Sequence, residues 1–123
     1  MRKIWVVILL APLLLVSMVA AGPTYSPESL ARYFRLDWQV LASPSGPRLE
    51  GYVYNQTDME AERMQVSIEQ LDPAGHVVGE TATWVLGNVP ARNRSFFQAC
   101  VPPAASYRVV VLSFNWLSKI SGN

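Results

Sequence analysis

RLEGYVYNQTDMEAERMQVSIEQLDPAG, residues 48–75, reads in period two twice over. Leu49, Gly51 and Val53 alternate with Glu50, Tyr52 and Tyr54, and after a polar break Met64, Val66 and Ile68 alternate with Gln65, Ser67 and Glu69. Successive strand side chains point to opposite faces, so the pattern predicts two half-buried strands joined through the turn-forming residues 56–62. Asp72-Pro73-Ala74-Gly75 places proline second and glycine fourth, the chemistry of a type I turn, and predicts a hairpin into a returning strand over 76–85.

The same period continues outward. Phe34, Leu36, Trp38 and Val40 face away from Arg35, Asp37 and Gln39, which predicts a strand ending at the turn cluster Ala-Ser-Pro-Ser-Gly-Pro of 42–47. Downstream, Thr81, Thr83 and Val85 share a face away from Glu80 and Trp84, and residues 86–93 form a second turn region. Phe97, Ala99 and Val101 make the next apolar face, which Pro102-Pro103 ends. Residues 107–113 are apolar on both faces, which predicts a central strand. Short strands, Pro, Gly and Asn clusters between them, and no long amphipathic helix beyond the N-terminus predict an all-β, immunoglobulin-like (fibronectin III-like) antiparallel β-sandwich of about six or seven strands.

The chain has 123 residues and a formal charge of +1. With Arg2 and Lys3 set aside, eight Lys and Arg stand against nine Asp and Glu. No clustered cationic excess remains, which argues against nucleic acid as a partner. Residues 1–21 have the three parts of an export signal: Arg2 and Lys3, an apolar run, and small residues at Ser17, Ala20, Ala21 and Gly22. Cleavage is expected between Ala21 and Gly22; the alternative is an uncleaved N-terminal membrane anchor, since the charge-free run approaches bilayer-spanning length. Either way the domain is expected outside the cytoplasm, secreted, periplasmic or tethered. The expected organisation is a signal or anchor over 1–21, a linker with a short helix over 22–33, the sandwich over 34–117 and a polar tail over 118–123. Ser26-Pro27-Glu28 supplies the cap, first position and first-turn acid of that helix. The single cysteine, Cys100, excludes an intramolecular disulfide and is expected as a small apolar side chain near a strand end.

From Gly51 onward the pattern resembles the FxLYD family and related bacterial envelope domains. GYVYN at 51–55 and the D-x-x-G-x-V-V hairpin from Asp72 to Val78 carry the resemblance. Val89-Pro90-Ala91 before Phe96-Phe97 is similar to that family's turn ahead of an aromatic strand, whereas Leu71 stands where those domains often carry an aromatic. The resemblance implies an extracytoplasmic or membrane-tethered module without assigned chemistry.

No catalytic constellation stands out. A nucleophile needs a base within hydrogen-bond reach, and the one pair on offer is Cys100 with His76, without an orienting acid. Asp58, Glu60 and Glu62 lack a glycine-hinged calcium loop, and no cofactor motif occurs. Asn55-Gln56-Thr57 and Asn93-Arg94-Ser95 match the glycosylation acceptor pattern but read as turn residues. The candidates for partner contact are therefore the aromatics Tyr52, Tyr54 and Trp84, provided that they share a sheet face, with Arg92 and Arg94 at a loop tip suited to an acidic partner. The expected role is non-catalytic contact with another envelope protein. The alternative is a small apolar or carbohydrate ligand stacked on Trp38, Trp84 or Trp116.

Overall fold

The computed structural model describes residues 25–117, so residues 1–21, expected to be a signal or anchor, the expected Ala21–Gly22 junction and the tail over 118–123 lie outside the described residues. The element order is α1 (Pro27–Tyr33), β1 (Phe34–Leu41), β2 (Arg48–Asn55), β3 (Ala61–Leu71), β4 (Val77–Trp84), β5 (Arg94–Cys100) and β6 (Ser106–Trp116). The strands form two antiparallel three-stranded sheets, ordered β1-β2-β5 and β4-β3-β6, packed as a β-sandwich.

Helix α1 is a local product of its first residues. The Ser26 side chain accepts a hydrogen bond from Ser29 N at 3.1 Å, Pro27 occupies the first turn, and Glu28 and Arg32 sit at the ends that the helix dipole favours for their charges. It ends at Phe34, where the backbone turns extended.

The two strands of the 48–75 stretch become the centres of the two sheets, so the chain passes from one layer to the other between Asn55 and Ala61. Leu49, Gly51, Val53 and Asn55 are buried in strict alternation along β2, and Met64, Val66 and Ile68 are completely buried along β3. Phe97 of β5 and Val109 and Val111 of β6 complete one core between the layers. Burying a side chain of this size stabilises by about 1.5–3 kcal/mol, so the core is where the fold's stability resides. The hairpin at 72–76 forms with Gly75 at φ +88°, the Asp72 side chain accepting from Ala74 N and His76 N at 2.9 and 2.8 Å, and Gly75 N donating to Asp72 O.

Three placements differ from the sequence-based expectation. First, β6 is an edge strand, not a central one. Among the described residues its second apolar row does not meet a further strand: Val110 is half-buried and Leu112 is 52% exposed. Second, its alternation breaks at a register shift opposite Glu62 to Val66, where Arg63 has φ +53°; past the shift Phe114 and Trp116 pack against the core while Ser113 is exposed. Third, Cys100 is exposed at the end of an edge strand.

The lateral sides of the sandwich are closed differently. Thr83 Oγ1 donates to Gln98 O at 3.1 Å and Leu86 N to Phe96 O at 2.9 Å, lacing β4 to β5. On the other side an aromatic cluster joins β1, β6 and the segment around α1: Tyr25 stacks on Phe114 at 5.2 Å, Phe34 on Trp116 at 5.7 Å, and Tyr33 meets Trp116 edge-on at 5.5 Å.

Candidate functional site

The register of the first sheet lays its outward side chains in rows. Across β1, β2 and β5 the rows run Arg35–Tyr54–Arg94, then Asp37–Tyr52–Phe96, then Gln39–Glu50–Gln98, and finally Leu41–Arg48–Cys100. The period-two alternation that buries Leu49 and Val53 is what turns these residues outward together.

In the first two rows the side chains interlock. The Arg35 guanidinium lies 4.0 Å from the centroid of the Tyr54 ring, and that of Arg94 lies 4.0 Å from the Tyr52 ring and 5.8 Å from the Tyr54 ring. Arg94 Nη1 also donates to the Tyr54 hydroxyl at 3.1 Å, and Tyr52 meets Phe96 edge-on at 5.5 Å. The bond to Tyr54 raises the Arg94 pKa above its ordinary value, and an arginine is charged at any ordinary pH. Cation–π contacts at exposed sites contribute about 0.5–1 kcal/mol each. Here they hold long side chains in fixed places on an open surface, which lowers the entropy lost when something binds there.

The charges of this face are not neutralised. Arg35, Asp37 and Arg94 form no ion pair with another described residue, and Glu50 meets only Arg48, at a loose 3.8 Å. On the outer face of the second sheet, by contrast, Arg108 pairs with Glu69 at 2.6 Å and Ser67 donates to Glu80 at 2.7 Å. Beside the aromatic rows a groove of about 400 Å³ is lined by the outward residues Asp37, Gln39, Glu50, Tyr52 and Phe96, with Trp38, whose side chain turns inward, at its floor. Gly51 lines it too. A Cβ at Gly51 would lie 2.2 Å from Asp37 O and 2.6 Å from Trp38 Cβ, so no other residue fits where β1 and β2 approach here.

The structure brings Tyr52, Tyr54 and Arg94 together and leaves Trp84 and Arg92 out. Trp84, 56% exposed, stands on β4 in the other sheet, on the side away from Val85, so it does not extend the tyrosine surface. Arg92 is an internal bracket. With φ +58° it donates from Nε to Asp58 at 2.8 Å, from Nη1 to Gln56 O at 2.8 Å and from its backbone N to Thr57 O at 3.1 Å, tying the β4–β5 loop to the β2–β3 loop. Sequence reading missed Arg35, Asp37 and Phe96; the signal was available in their outward period, but only the register shows which tyrosine each adjoins.

The other candidates resolve as follows. Asn55 is buried, with Nδ2 donating to Met59 O and Val89 O and Oδ1 accepting from Thr57, so its amide is fully engaged as a structural knot. Asn93 is exposed. His76 lies in the β3–β4 turn, 3.5 Å from Asp72, and Cys100 ends β5 in the other sheet; no hydrogen bond or ion pair joins them. Trp38 packs partly against the core and Trp116 belongs to the lateral aromatic cluster, so the three tryptophans form no common platform. Among the described residues no cluster of three or more His, Cys, Asp or Glu could hold a metal ion, and no helix is long and apolar enough to cross a membrane. No family model, curated protein or solved structure matches this chain.

Proposed function

We propose that the chain is an exported, non-catalytic β-sandwich module that contacts another protein at the outer face of the β1-β2-β5 sheet. The observation that carries this is the ladder of Arg35, Tyr54, Arg94, Tyr52 and Phe96, ordered by cation–π and ring contacts yet unneutralised in charge. Tyrosine and arginine on rigid strands are the residues that dominate binding at protein interfaces. The strand orders β1-β2-β5 and β4-β3-β6 suit an immunoglobulin-like arrangement in which β6 has no further neighbour among the described residues. Together with GYVYN and the Asp72 hairpin, this supports placing the chain near the FxLYD-type envelope modules.

The reading of residues 1–21 as an export signal or anchor belongs to the same proposal. It is tested by the mass of the mature chain, expected to begin at Gly22, and by its recovery outside the cytoplasm; an intact chain in the cytoplasmic fraction removes it. The contact surface is tested by a photo-crosslinking residue placed at Tyr54 and, for comparison, at Trp84. Protein adducts are expected from position 54 and weakened by Arg94→Ala. Adducts from position 84 alone would move the surface to the other sheet.

The groove beside Tyr52 favours a second reading, a small ligand such as a carbohydrate, because two carboxylates and two outward aromatic residues line it. Nuclear magnetic resonance titration with a panel of sugars, following Trp38 and Phe96, decides between the two.

A further inference from the structure

Two charges on the β1-β2-β5 face, Arg35 and Asp37, stand one row apart on the same strand, so the same face of another copy, turned end for end, pairs both. Row one carries Arg35 and Arg94 on either side of Tyr54, while the neighbouring row runs Asp37, Tyr52 and Phe96. A purely acidic partner would meet Arg35 and Arg94 but set its carboxylates against Asp37 and Glu50. A purely basic partner has the converse fault. A partner with both signs in reversed order meets neither repulsion.

We propose that two copies of the chain associate face to face through this sheet, about a two-fold axis that runs along the rows and crosses β2 between Tyr52 and Tyr54. The proposal rests on the reading of this face as a contact surface and names its occupant. In a two-fold interface whatever residue i meets on j, j meets on i. Rotation about this axis reverses the strand direction and lays row one of each copy over row two of the other. Arg35 then faces Asp37 of the second copy and the reverse, Tyr54 faces Tyr52, and Arg94 faces the Phe96 ring. Rows on one sheet face are spaced by two residues, about 7 Å, so a shift of one row sets each Arg35 against an Asp37 and moves each Arg94 from a guanidinium to an aromatic ring. An axis along the strands fails, because it lays row one over itself and crowds four guanidinium groups together.

The face is small. Three strands about 4.8 Å apart and about 8 residues long cover on the order of 400 Å² in projection, of which an axis between the first two of four rows overlaps about half, against about 800 Å² per partner in an interface of ordinary size. Association is therefore weak in dilute solution and depends on chains held at high local density, which sets the form of the test.

The full chain, expressed in cells that export it, carries a photo-crosslinking residue at Tyr54, and adducts are sized by mass. The expected result is an adduct of two copies, reduced at least tenfold by Arg35→Asp and by Asp37→Arg. It returns in the double variant, and again when the two single variants are produced together from distinguishable tagged copies. Both positions are exposed, and the recovery in the double variant shows that the fold survives. A two-copy adduct that persists undiminished in Arg35→Asp, or that fails to return in the double variant, overturns the proposal. An adduct with a different protein also overturns it while sustaining the contact surface; no adduct of any kind from position 54 removes both.

Discussion

Gly51, Asn55 and Arg92 show how single residues of this chain do work that their types alone do not reveal. Gly51 lies where a Cβ would collide with Asp37 O and Trp38 Cβ, and the backbone oxygen cannot give way. Gly51→Ala is expected to destabilise by about 1–3 kcal/mol, read as a lowered midpoint in thermal or urea unfolding. The Asn55 amide satisfies two carbonyls and one backbone N–H in a buried turn. Asn55→Ala leaves those groups unpaired and is expected to cost about 2–3 kcal/mol, measured the same way, and the same burial predicts no glycan at this asparagine in a host that attaches them. Arg92 holds the Asp58 carboxyl below its ordinary pKa, chiefly through their hydrogen bond and then through charge. A carboxyl whose folded pKa is depressed contributes stability above its unfolded value of 3.8 and loses it as pH falls through the folded value. The midpoint difference between the parent and Asp58→Asn is therefore expected near pH 6 and should vanish toward pH 2. Because the pair is exposed the difference is small and shrinks in salt.

At the scale of elements, position within a sheet decides what each strand contributes. β2 and β3 are bonded on both sides and hold completely buried side chains, whereas β1, β4, β5 and β6 are edges. Amide hydrogen exchange should be slowest in β2 and β3 and faster along the outward edges of β1 and β6, where no backbone hydrogen bond outside the strand ladders involves residues 106–116 among the described residues. Equal protection in β6 and β3 would contradict this order. Val53 and Val109 face the core from opposite sheets, 0% and 6% exposed. Val53→Asp or Val109→Asp buries an unpaired charge whose cost exceeds ordinary domain stability, so either variant is expected to lose the cooperative thermal transition. The half-exposed Leu36 and Trp38 and the exposed Val40 on the inward row of β1 have a simple cause: no strand lies beyond β6 among the described residues to cover them.

For the molecule as a whole, the division of labour runs between its two outer faces. One engages its charges internally, Arg108 with Glu69 and Glu80 with the Ser67 hydroxyl; the other presents ordered arginines, tyrosines and carboxylates, with no ion pair for Arg35, Asp37 or Arg94 among the described residues. If the second face mediates contact, the salt dependence of that contact should be steep, and raising salt from 0.05 to about 0.5 M should weaken adduct formation from position 54 while leaving the unfolding midpoint nearly unchanged. The sequence by itself determined the strands, the facing of their side chains except past the register shift in β6, and the hairpin at Asp72, because a period of two and a proline-glycine turn are local properties of the chain. It also determined, through the alternation around Val53, that Tyr52 and Tyr54 would stand together. Tertiary structure alone decided that β6 is an edge despite its two apolar rows, that Trp84 belongs to the other sheet, that Arg92 fastens two loops, and that Arg35 and Arg94 close on the tyrosines. Those outcomes depend on which strands become neighbours. Register between strands distant in sequence is set by the packing of the whole core, and no local pattern carries it.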